Sequence, residues 1–182
     1  MLWTGSICGQ KMTMLMNEAI EDNNESAVRA LIRHGTDPNS GYRLSKGTRE
    51  IQRIVVKWLL DEGVTPDHFD RPYVADFAGA IPIADLRYML SKGFRPKDFP
   101  GCLSSAMSNQ PLRHEETIEP DEMQQIKDKV TLLLDHGADV NAGEAGTRPV
   151  FNLLSLGVDL SPILQLLIDR GADIKSASRT SV

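Results

Sequence analysis

Five glycines, Gly35, Gly63, Gly93, Gly137 and Gly171, punctuate this chain, and the residues leading up to each follow one pattern. Seven positions before them stand Val28, Val56, Leu86, Val130 and Leu164. Four before stand Leu31, Leu59, Met89, Leu133 and Leu167, and three before stand Ile32, Leu60, Leu90, Leu134 and Ile168. Apolar side chains at those three distances share one face of a helix with 3.6 residues per turn. The two residues next to each glycine are mostly charged, as in Asp61-Glu62 and Asp169-Arg170. Each segment therefore predicts a helix with one buried stripe that ends at its glycine. A residue lacking Cβ adopts the left-handed conformation that closes a helix without steric cost.

The letters after each glycine carry a family resemblance. Leu-Leu-Asp-His-Gly-Ala-Asp-Val-Asn at 133–141 and Leu-Ile-Asp-Arg-Gly-Ala-Asp-Ile-Lys at 167–175 resemble the second-helix ending of an ankyrin repeat. Residues 31–39 form a good third copy, and 59–67 and 89–97 are degenerate ones. The resemblance covers residues 13–175. It implies an all-α, ankyrin-like helical solenoid of about five repeats, each two antiparallel helices and a projecting turn, stacked so that neighbours share apolar faces. First helices are expected at 13–20, 71–79, 101–108 and 147–156, although none has the family's Thr-Pro-Leu-His opening intact. The glycine spacings of 28, 30, 44 and 34 are uneven. The second repeat is short, so its first helix is expected as a turn or merged into a helix through 50–60. The fourth is long, and its insertion is placed at 109–120, bounded by Pro111 and Pro120. Residues 1–12 read as an extension without expected order and 176–182 as a tail.

Composition narrows the function. With 182 residues, 41% hydrophobic and 25% charged, the chain has the make-up of one globular domain. A net charge of −5 repels nucleic acid and anionic membranes, so neither is expected as a partner, and only the basic stretch from Arg43 to Lys57 argues otherwise. The cysteines Cys8 and Cys102 form neither a disulfide framework nor a zinc spacing, which points to a reducing, cytoplasmic setting. No stretch reaches the roughly 20 apolar residues of a bilayer span.

No phosphate-cradling glycine loop, His-Glu-x-x-His face or nucleophile elbow occurs, so no enzyme activity, cofactor or metal is expected. His34 and His136, each one residue before a glycine, are read as helix caps that bond the last carbonyls. His114, Glu115, Glu116 and Asp121 are the residues that a metal-dependent alternative would need. Cys102 opens a helix, where a dipole can lower a thiol pKa, but with no base near it in sequence it is read as packing. Trp58 is read as core or stack-edge packing.

The resemblance implies that turn tips and first helices line the binding face. The tips present Asn39, Tyr42 and Arg43 in the first repeat, Asp67, His68, Phe69, Asp70, Arg71 and Tyr73 in the second, and Lys97, Asp98 and Phe99 in the third. Aromatic residues and arginine dominate binding hot spots. Phe69 and Phe99 have a second reading, as small cores beneath the turns. The function expected is non-catalytic binding of a partner protein by a monomer or a heterodimer with that partner. An inhibitor, such as a toxin-immunity protein, is the first form of this and an effector or scaffold acting on host proteins the second.

Overall fold

The computed structural model describes residues 4–36, 48–69, 71–108, 118–143 and 148–174. Every regular element among them is helical, and no strand occurs there. The helices are α1 (Thr4–Glu21), α2 (Glu25–Arg33), α3 (Arg49–Asp61), α4 (Arg71–Ala80), α5 (Ile83–Ser91), α6 (Cys102–Ser108), α7 (Pro120–Asp135), α8 (Pro149–Ser155) and α9 (Ser161–Asp169). Single 3-10 turns at Pro66–His68 and Pro96–Asp98 follow α3 and α5. The chain divides into two compact units, Met1–Tyr73 with Ser91–Phe94, and Val74–Leu90 with Arg95–Val182.

All five glycines have φ between 87° and 96°, as their place in the pattern requires. At Gly35, Gly63, Gly137 and Gly171 the glycine N–H donates to the carbonyl three residues back. The next N–H donates to the carbonyl five back, for example Ala138 to Leu133 at 3.0 Å. Helix carbonyls that would otherwise lack a partner are thereby satisfied. The stripe is buried at Val28, Val56, Leu86 and Val130, at Leu59, Met89, Leu133 and Leu167, and at Leu60. Ile168 departs from it, at 38% exposure.

In the first unit α1 packs on α2 and α2 on α3. Helix α1 begins at Thr4, inside the stretch read as an unstructured extension, and encloses the expected helix at 13–20. The turn between α1 and α2 is set by Asn23 at φ 53° and by Asn24, whose side chain accepts from Ala27 N–H at 3.1 Å as an N-cap. Thr48 caps α3 in the same way, through Ile51 N–H at 3.4 Å. The core gathers Met16, Val28, Val55, Leu59 and Phe69.

In the second unit α6 packs against both α7 and α8, α7 against α9, and α8 against α9. Two helical hairpins thus lie with first helix on first and second on second. Pro120, Pro149 and Pro162 stand at the starts of α7, α8 and α9, where a missing N–H costs nothing. Pro120 thereby belongs to α7 rather than to the loop before it; residues 109–117 lie outside the described ones. The core contains Phe77, Ile81, Met107, Ile126, Leu133 and Ile163. Gly79 of α4 passes so close to α6 that a Cβ there would stand 2.4 Å from Ser105 Cβ.

Candidate functional site

The turns after Gly63 and Gly93 are built alike. One, three and six residues past the glycine stand Val64, Pro66 and Phe69 in the first unit and Phe94, Pro96 and Phe99 at the second site, all buried. A proline fixes φ at the start of each 3-10 turn, and Phe69 N–H and Phe99 N–H close it onto the proline carbonyls at 3.2 and 3.1 Å. This closure turns both rings inward. Phe69 is 4% exposed and Phe99 1%, so both rings lie beneath the turns, where the small-core reading puts them, and not at the tips.

What the tips offer to solvent is charge. Asp67 is exposed in the first unit; Arg95 and Lys97 are exposed in the stretch from 95 onward, with Asp98 held by Arg95 at 3.0 Å. Tyr73 is half-buried. Asn39, Tyr42, Arg43 and Asp70 lie outside the described residues, as do the side chains of His68 and Arg71. In the second unit a shallow depression lined by Pro96, Lys97, Phe99, Cys102, Asp139 and Ala142 encloses about 10 Å³, the space of a single water.

The third described turn is tied to the fourth. Asp173 N–H donates to Asn141 Oδ1 at 2.8 Å, and Asn141 Nδ2 donates to Gly171 O at 3.1 Å. Arg148 pairs with Asp173 at 3.2 Å. Asp139 supports the Asn141 backbone, accepting its N–H at 2.8 Å.

The charged residues before the glycines, which the sequence pattern marked only as polar helix ends, form ion pairs between successive helices. In the first unit Asp61 meets Lys92 at 3.2 Å, and Arg29 meets Glu25 at 2.8 Å and also Glu62. In the second, Asp135 meets Arg170 at 2.8 Å. In both units an acid two positions before one glycine pairs with a base one position before the next.

His136 caps as expected, with Nδ1 2.8 Å from Leu132 O. His34 caps α2 through its backbone N–H to Ala30 O, and its side chain stands exposed. Cys102 is buried, donates weakly to Pro96 O at 3.7 Å, and burial pushes its thiol up to about 12. That outweighs the helix dipole and keeps the sulfur protonated. Trp58 is half-buried, consistent with edge packing. His114, Glu115 and Glu116 lie outside the described residues, and Asp121 stands exposed in the first turn of α7.

In the sequence Lys129 is one more charge after Lys127 and Asp128 and carries no other signal. It is 7% exposed, and its Nζ donates to Gly79 O at 2.9 Å, in the last turn of α4 where helix carbonyls carry partial negative charge. Burial pushes the amine's pKa down. No family model and no curated protein matches the chain. No described helix is long and apolar enough to cross a membrane.

Proposed function

We propose that the chain is an ankyrin-like stack of helical hairpins that binds another protein, without catalysis, through its projecting turns. The observation that carries this reading is the α6–α7 and α8–α9 arrangement, like helix on like helix, with Asn141 bridging one turn to the next. Such stacking sets turn tips in a row, the geometry that repeat proteins use to grip a partner. The rigid Pro66 and Pro96 turns support the same reading, because their buried rings fix where Asp67, Arg95 and Lys97 project. Pre-ordered charges of this kind steer association and lend specificity. In this reading the protein works in the cytoplasm as an inhibitor that covers its target, as an immunity protein covers a toxin; an effector or scaffold on host proteins is the same surface put to another use.

The test is affinity purification of the tagged full chain from its native cells after cross-linking, beside a variant carrying Asp67→Lys and Lys97→Glu. A stoichiometric protein partner is expected, with recovery falling about tenfold or more in the variant, as when a hot-spot contact is lost. Absence of a stoichiometric partner, or equal recovery with both chains, would contradict the reading.

A further inference from the structure

All five large apolar side chains that stand exposed among the described residues lie at the beginning or the end of the helix order. Met14 and Leu15 are on α1, Leu154 on α8, Ile168 on α9, and Ile174 just beyond Gly171. Comparison with the preceding hairpin explains the second group. Met107 and Leu154 are each the sixth residue of a seven-residue helix; the first is fully buried and the second 61% exposed. Val140 and Ile174 each stand three residues past a glycine, at 8% and 50%. Helices α8 and α9 cover α6 and α7. The last hairpin repeats the side chains of a stacking face with nothing from the described chain upon it. End repeats ordinarily carry a polar outer face, and an exposed apolar patch marks an association surface.

We infer that this face receives the first hairpin, α1–α2, of a second copy of the chain, head to tail. Charge complementarity at two of the four glycine steps selects that occupant; at the first step the signs are reversed, Arg33 lying 4.0 Å from Glu62. Asp61 and Asp135, two positions before their glycines, pair with Lys92 and Arg170, one position before the next. Asp169 is the acid two before the last glycine, and His34 is the base one before the first; both are exposed. Continuing the register past Asp169 brings His34 of the incoming copy to it, and sets Met14 and Leu15 against Leu154 and Ile168. The contact is heterologous, so it closes into a ring or runs on as an open chain. It uses neither Asp67 nor Lys97, and so stands apart from the partner-binding reading.

Light-scattering mass of the full chain across a concentration series tests this. The wild type is expected to rise from 20.1 kDa to twice that or more. A first-hairpin variant, Met14→Glu with Leu15→Glu, and a last-hairpin variant, Leu154→Glu with Ile168→Glu, are each expected to stay at one chain alone and to form a one-to-one dimer when mixed. A wild type that stays at 20.1 kDa throughout would overturn the proposal, and so would a first-hairpin variant that still dimerises by itself, the mark of a two-fold pairing of last hairpins. Charge reversal leaves the apolar faces intact should the first variants fail to fold. His34→Glu, which sets two acids together, or Asp169→Lys, which removes the acceptor for the imidazole N–H, is expected to weaken association about threefold, and the two together to restore it through a Glu–Lys pair. Additive loss in the doubly reversed chain would count against the register.

Discussion

Hairpins α6–α7 and α8–α9 are written in the same pattern and sit in different surroundings. Gly137 and Gly171 share φ 89° and the same pair of closing hydrogen bonds. Leu133 and Leu167, four residues before them, are both fully buried. Yet Met107 is sealed where Leu154 meets water, and Val140 is covered where Ile174 is not. A helix cap is a local property, fixed by the residue that can take a left-handed turn. Burial belongs to the neighbour. The two hairpins separate these contributions within one chain.

The largest difference between them is expected from truncation at equivalent places. Met107→Ala should cost about 2–5 kcal/mol, because it leaves a cavity in a closed core. Leu154→Ala should change stability by less than about 0.5 kcal/mol, as exposed substitutions do. Urea denaturation at a concentration where the chain is monomeric measures both, and similar losses at the two sites would break the comparison.

Glycines sharpen it next. Alanine is ordinarily the better helix former by about 0.5–1 kcal/mol. At Gly79 its Cβ would meet Ser105 Cβ at 2.4 Å and Ala106 N at 2.5 Å, so a loss of about 1–3 kcal/mol is expected from overpacking. Gly137→Ala meets nothing closer than Lys97 Cβ at 4.0 Å, and its expected loss of about 1–2 kcal/mol comes from the positive φ alone. Thermal melts of the two variants test this; a stabilised Gly79→Ala would mean that α4 and α6 do not approach as described.

A smaller effect separates equivalent acids. Asp135→Asn removes the pair with Arg170 and should cost about 0.2–1 kcal/mol, fading with salt. Asp169→Asn, one hairpin later, faces no base in the described chain and should cost less when both are measured by denaturation at low ionic strength.

Lys129 supplies the last contrast, one of slope. Burial lowers its pKa, so the folded chain binds that proton less tightly than the unfolded chain. The cost of burying the charge is fully present below the folded value and fades as pH rises towards the unfolded value of about 10.4. Wild type should therefore gain stability relative to Lys129→Met as pH climbs through that window. A difference independent of pH in urea titrations would contradict the buried charge.

The parts of this fold legible in the sequence are those that a single helix decides. The stripe before each glycine, the left-handed turn at it and the His136 cap all follow from nearby residues. Helices at 71–80, 102–108 and 149–155 match the expected first-helix stretches, and α3, at 49–61, accounts for the helix expected through 50–60. What a second element decides was not legible. Phe69 and Phe99 read as tip residues or as small cores alike, and the proline-led 3-10 turn that carries each ring beneath its tip is what separates the two. Lys129 reads as a solvated charge until α4 brings a helix-end carbonyl to its ammonium. The Asp–base pairs across hairpins needed a spatial register that letters alone do not supply. Of the candidate site, Asp67 and Lys97 stand exposed, while Tyr42 and Arg43 lie outside the described residues.

The stacking of α7 on α9 in register is tested most directly by an NMR contact. The Asn141 side-chain amide, bonded to Gly171 O and beside Asp173 N–H, should show nuclear Overhauser cross-peaks to the amides following Gly171 in the full-length chain. Cross-peaks confined to residues 138–143 of its own turn would mean that the two hairpins do not stack as described.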